Sequence, residues 1–68
     1  MNLEQALIAV SNHANNLYAR SYARIALAMK PDDEALHTQL LYVRSNLAHE
    51  RGPIAREIKA TLDKAIKS

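Results

Sequence analysis

Three histidines and four serines are the residues whose side chains could act as ligands, bases or nucleophiles. His13, His37 and His49 lie in different segments, and no pair of them has the spacing of a helical zinc site. The chain has no cysteine and a single glycine, so it offers no thiolate, no glycine elbow around a serine and no glycine-rich phosphate loop. We therefore expect no catalytic residue, no metal and no cofactor.

Arg44 and His49 form the one pattern in the sequence that indicates an enzyme. Their spacing resembles the Arg-x₄-His motif of the helical HEPN-type ribonucleases. The resemblance implies that the pair acts on an RNA phosphate and on the leaving oxygen of the cleaved bond. Domains of that family are larger helical units than this chain. RNA cleavage by Arg44 and His49 is therefore the third of the functions that we consider.

Residues 44–63 support a second hypothesis, which is DNA binding. Ala48, Gly52 and Ile58 resemble a helix-turn-helix pattern, with a small residue at the helix crossing, a glycine at the turn and an apolar residue in the second helix. Pro53 departs from that pattern at the turn. The resemblance implies contacts with DNA from three cations, Arg51 at a phosphate and Arg56 and Lys59 in a groove.

The composition weighs against nucleic acid and favours association of protein chains. The chain has 68 residues and a net charge of +2, whereas proteins that bind nucleic acid usually concentrate more positive charge. It has neither tryptophan nor phenylalanine, and its aromatic side chains are Tyr18, Tyr22 and Tyr42. Alanine supplies much of the apolar fraction and buries little area per residue. Such a core is marginal without a disulfide or a metal, which favours stabilisation by oligomerisation.

The apolar pattern predicts three helices, at about residues 3–29, 31–50 and 53–66. Asn2 and Gln5 have the spacing of a capping box at the start of the first helix. Pro31 and Pro53 suit the first turn of a helix, and Gly52 suits the end of the preceding one. Because the joints are short, consecutive helices turn back on one another. The predicted fold is all-α, a single domain folded as a three-helix, hairpin-like bundle with a long first helix.

Residues 11–16 are polar and contain few strong helix formers, so they leave two alternatives for the first helix. The helix can run through them, or it can break there and restart behind an asparagine cap before Leu17. The apolar residues keep the same helical phase on both sides, and neither glycine nor proline intervenes. We therefore favour a continuous helix.

A continuous first helix is longer than the second by about two turns, so the second helix leaves part of its apolar side uncovered. We expect a second copy, or another protein, to cover that part and to form a homodimer or higher oligomer. Tyrosine suits such a surface because it buries a ring and keeps a polar tip. The expected interface residues are Leu3, Leu7, Val10, Tyr18 and Tyr22.

Two stretches resemble known helical proteins. Residues 26–35 resemble the joint between tetratricopeptide repeats, which predicts a helix–loop–helix joint, and no second copy follows to form an array. Residues 36–66 are similar to the C-terminal half of small helical proteins of bacteriophages and prophages. That similarity implies a phage-type accessory protein and assigns no site residue.

These observations favour a small, non-enzymatic interaction protein over the DNA-binding and RNA-cleaving alternatives. The chain has no apolar run of the length that a membrane span needs, and its first residues lack the basic start of a signal peptide. We expect a cytoplasmic protein that binds itself or another protein, with nucleic acid as the weaker alternative.

Overall fold

Four helices make up the protein in the computed structural model, which describes all 68 residues. They are α1 (Leu3–His13), α2 (Leu17–Ala28), α3 (Leu36–Ser45) and α4 (Pro53–Lys67). The helices form a ring in which each packs against the next and α4 returns to α1. The predicted all-α class is confirmed. The predicted number of three helices is wrong, because the first predicted helix consists of α1 and α2.

The predicted long first helix breaks at residues 14–16, which we call the corner. Ala14 is extended, with φ −60° and ψ 141°, and this residue ends α1. The side-chain oxygen of Asn16 then accepts the backbone N–H groups of Tyr18 at 2.8 Å and Ala19 at 3.1 Å, which starts α2. Asparagine is a strong helix cap and a poor residue for a helix interior. The alternative of a break with an asparagine cap before Leu17 is therefore confirmed.

Two arginines of α2 hold the corner from the other side. Arg20 donates its Nε–H to the carbonyl of Ala14 at 2.6 Å, and Arg24 donates from Nη2 to the carbonyl of Ser11 at 3.2 Å. The last carbonyls of a helix have no partner within the helix and carry partial negative charge, so a cation stabilises them. The residues that start α2 and the residues that end α1 therefore depend on one another.

The corner is also tied to the segment that joins α3 to α4. The backbone N–H of Asn15 donates to Oε1 of Glu50 at 2.9 Å, across 35 residues of sequence. Glu50 ends the turns that follow α3, and its own N–H donates to the carbonyl of Leu47 at 3.0 Å. This hydrogen bond holds the corner and the segment between α3 and α4 together at one end of the ring.

Small side chains form much of the core. Ala6 of α1 and Ala19 and Ala23 of α2 are completely buried, which allows close approach of these two helices. The largest fully buried side chains are Val10, Val43 and Leu62, one each from α1, α3 and α4. Because alanine adds little buried area, the hydrophobic contribution to stability is modest for a chain of this length.

The helix ends agree with the sequence where a cap or a proline is present. The capping box is confirmed: the N–H of Gln5 donates to Asn2 Oδ1 at 2.8 Å, and the N–H of Asn2 donates to Gln5 Oε1 at 2.9 Å. Pro53 begins α4 as predicted, and α4 ends one residue after the predicted boundary. Gly52 precedes it with φ 108°, a conformation that favours glycine.

α3 is shorter at both ends than the predicted helix over residues 31–50. The acidic run after Pro31 forms turns, in which Oδ1 of Asp33 accepts the N–H of Ala35 at 2.8 Å. At the other end, Asn46 donates from Nδ2 to the carbonyl of Tyr42 at 2.8 Å, and residues 46–49 are turns. Short polar side chains that bond to nearby backbone compete with the helix, so these residues stop it.

Replacing the corner cap tests this arrangement. We expect Asn16→Ala to lower the free energy of unfolding by about 1 kcal/mol, because two N–H groups of α2 lose their acceptor. Urea unfolding followed by circular dichroism measures the change. Asn12→Ala is the matched control, since Asn12 is exposed on α1 and makes no side-chain hydrogen bond. Equal losses in the two variants are the result that opposes a specific role for the cap.

Candidate functional site

The expected interface residues do not lie on one surface. Leu7 and Val10 are buried in the core, and Leu3 is partly buried against it. The corner folds α1 back onto the rest of the chain, so a single copy covers Leu7 and Val10 and part of Leu3. The burial of Leu7 and Val10 within one chain gives no support to a place for them at an interface, and the interface itself stays a prediction. Tyr18 and Tyr22 remain accessible, with Tyr18 70% exposed and Tyr22 half-buried.

Tyr22 and Tyr42 meet where α2 packs against α3, and Tyr18 lies nearby on α2. The rings of Tyr22 and Tyr42 lie with their centroids 5.5 Å apart and their planes inclined by 39°, within the range that favours aromatic pairs. Tyr18 precedes Tyr22 by one helical turn and Ile25 follows it by nearly one, so both share its side of α2. We call the surface formed by Tyr18, Tyr22, Ile25 and Tyr42 the tyrosine face.

The tyrosine face carries no formal charge. At 100° per residue, the positions around it on α2 and α3 include serine, threonine, glutamine and methionine. These neighbours are Ser21, Met29, Thr38, Gln39 and Ser45. Gln39 also donates from Nε2 to the carbonyl of Tyr22 at 3.0 Å, which fixes the two helices beneath the rings. Interface centres are also depleted in charged residues and enriched in tyrosine, a composition that the tyrosine face shares.

The sequence pattern contained part of this surface. Tyr18 and Tyr22 were predicted at an interface, whereas Tyr42 was absent from that prediction. The missed signal is that Tyr42 lies on the flank of α3 next to α2 and that this flank contains no charged residue. Recognising it requires the pairing of α2 with α3, which the helix pattern alone does not specify.

The three predicted DNA contacts line one groove between α3 and α4, the seam next to the tyrosine face on the ring. Arg51, Arg56 and Lys59 border a cavity of about 370 Å³ that we call the basic groove. Arg51 and Arg56 are exposed and form no salt bridge. Lys59 is committed within the chain, because Nζ donates to the carbonyls of Ala48 and Glu50 and so stabilises the turns after α3.

Arg44 and His49 lie at the end of α3 and in the turns that follow it. Arg44 is at the end of α3 and binds the carboxylate of Asp63 on α4, with Nε 2.9 Å from Oδ1 and Nη2 3.4 Å from Oδ2. His49 lies in the turns after α3 and is exposed. The paired geometry makes Arg44 a link between α3 and α4.

No group of three or more histidine, aspartate and glutamate side chains comes together to hold a metal ion. None of the four helices has both the length and the apolar character of a membrane span. No protein-family model, curated protein or solved structure matches the chain.

Proposed function

We propose that the chain is a non-enzymatic interaction protein that associates with itself through the tyrosine face. The single observation that carries this proposal is the exposure of an aromatic cluster in a chain with few large apolar side chains. Tyr18 is 70% exposed and Tyr42 is 50% exposed, although burying a ring of this size is strongly favourable. A contact between chains removes this area from water.

The absence of charge favours a second copy as the partner. In a two-fold contact each group faces the same surface of the other copy, so a charged group near the axis meets a like charge. The tyrosine face avoids that repulsion. A two-fold contact through the surface around α3 and α4 would bring like charges together, because Arg51 and Arg56 are exposed there without a carboxylate partner.

The wider biological setting stays a prediction. The similarity of residues 36–66 to phage and prophage proteins supports an accessory role, and self-association is compatible with such a role. A location in the cytoplasm is part of the same proposal.

A charge placed on the tyrosine face tests the proposal. We expect the wild-type chain to dimerise reversibly at micromolar concentrations and Tyr18→Glu to raise the dissociation constant at least about tenfold, because the substitution buries a like-charged pair. Sedimentation equilibrium measures both constants. Tyr18 is 70% exposed and is not part of the buried core, so circular dichroism should show the same helix content in the variant.

Ile8→Glu is the matched control for this experiment. Ile8 is also an exposed apolar residue on a helix, but it belongs to α1 and lies outside the tyrosine face. We expect this variant to dimerise like the wild type. A wild-type chain that stays monomeric, or equal weakening by the two substitutions, argues against self-association through this face.

DNA binding is a second candidate because the basic groove brings its predicted residues together. Arg51 and Arg56 have no salt-bridge partner, so both guanidinium groups can bind phosphate oxygens. The ammonium of Lys59 contributes its charge to the same groove although its hydrogen bonds are used internally. RNA cleavage has no comparable support, since Arg44 is paired with Asp63.

The salt dependence of binding to random duplex DNA tests this second candidate. We expect Arg56→Gln to reduce the slope of log affinity against log salt concentration by about 0.9, the effect of one lost phosphate contact. Lys67→Gln removes the same charge at the far end of α4 and should leave the slope unchanged. Fluorescence anisotropy over a range of salt concentrations gives the slopes. Identical slopes for the two variants would eliminate the basic groove as a DNA site.

A further inference from the structure

A cavity of about 400 Å³ lies beside the corner, on the seam between α1 and α4. We call it the corner cavity. Its base is apolar and includes Val10 of α1, Leu47 after α3 and Ile58 of α4, all of which are buried. The volume falls within the range of small-molecule sites, and a base of this composition is typical of them. On the ring of helices, the seam between α1 and α4 is opposite the tyrosine face.

The sequence explains why the space is present. Alanines line the cavity on both sides of this seam, Ala9 and Ala14 from the α1 side and Ala55 from α4, and a methyl side chain fills little space. The chain also turns away from α4 at the corner. Ile54 borders the cavity but stays 63% exposed, so it does not close the opening.

The rim of the corner cavity has a free cation. Arg51 borders the opening and forms no salt bridge within the chain. Its neighbour Glu50 also lies at the rim, but one of its carboxylate oxygens is held by the N–H of Asn15. His13 is a further hydrogen-bonding group at the α1 side of the opening. An apolar body with an anionic end is therefore complementary to the base and to Arg51 together.

We propose that the corner cavity binds a small molecule with an aliphatic body and a carboxylate head. The aliphatic part occupies the apolar base, where it replaces water. The carboxylate binds the guanidinium of Arg51, whose planar donors match two carboxylate oxygens. This proposal is independent of self-association, because the tyrosine face lies on α2 and α3, whereas the corner cavity lies on the seam between α1 and α4.

Titration of the ¹⁵N-labelled chain with sodium octanoate, followed by amide chemical shifts, tests the site. We expect saturable shifts concentrated at the residues around the cavity, such as Ala9, Ala14 and Ile54. Octan-1-ol, which has the same body without the charge, should bind at least about tenfold more weakly. Unsaturable shifts, or shifts scattered over the tyrosine face, would overturn the proposal.

Two arginine variants distinguish binding in the corner cavity from non-specific attraction of the octanoate anion to positive charge. Arg51 and Arg56 both border the basic groove, but of the two only Arg51 borders the corner cavity. We expect Arg51→Gln to weaken octanoate binding about tenfold and Arg56→Gln to change it less than about twofold. If both variants weakened octanoate binding equally, the affinity would depend on net charge alone, and the corner cavity would not be a specific site.

Filling the cavity gives an independent measurement. Ala9→Leu adds an apolar side chain at the border of the cavity and leaves Arg51 unchanged. We expect this variant to lose binding of both octanoate and octan-1-ol while its amide spectrum stays dispersed. Undiminished binding in a folded Ala9→Leu variant contradicts the site. If that variant fails to fold, the comparison of Arg51→Gln with Arg56→Gln still decides the question, because both arginines are exposed.

Discussion

The corner between α1 and α2 is the constraint on which the rest of the structure depends. Asn16 supplies the cap that starts α2, and Arg20 and Arg24 supply donors to carbonyls at the end of α1. The energetic cost of ending one helix is thus offset by the helix that follows it. An unbroken helix over the same residues would be a rod of about 40 Å with much of its apolar side in water. The corner converts that rod into two sides of a closed ring.

The closed ring of helices determines which apolar surface stays exposed to solvent. Alanines let α1 and α2 approach closely, and the aliphatic residues of α3 and α4 complete a small core. The tyrosine rings are left outside on the seam of α2 and α3, and an unfilled space is left on the opposite seam beside the corner. Both candidate sites therefore follow from one property of the sequence, which is a core built from small side chains and few large ones.

The sequence predicts features that depend on neighbouring residues and misses features that depend on distant backbone. The capping box of Asn2 and Gln5 and the start of α4 at Pro53 follow from local chemistry. The corner was misjudged because the apolar phase continues across it and because two of the donors that stabilise it bind backbone carbonyls, which leave no pattern in the sequence. The hydrogen bonds of Lys59 were missed for the same reason, because its partners are the backbone carbonyls of Ala48 and Glu50. All three tyrosines are visible in the sequence, but the contact of Tyr22 with Tyr42 depends on the pairing of α2 with α3.

The backbone conformation of residues 14–16 in solution tests the central claim most directly. We expect non-helical ¹³Cα chemical shifts at Ala14 and Asn15, together with nuclear Overhauser effects between side chains of α1 and α2. Isotope-filtered spectra of mixed labelled and unlabelled chains should show that these contacts lie within one chain. Helical shifts that continue from Leu3 to Ala28, or contacts between α1 and α2 that arise only between chains, contradict the corner and the fold built on it.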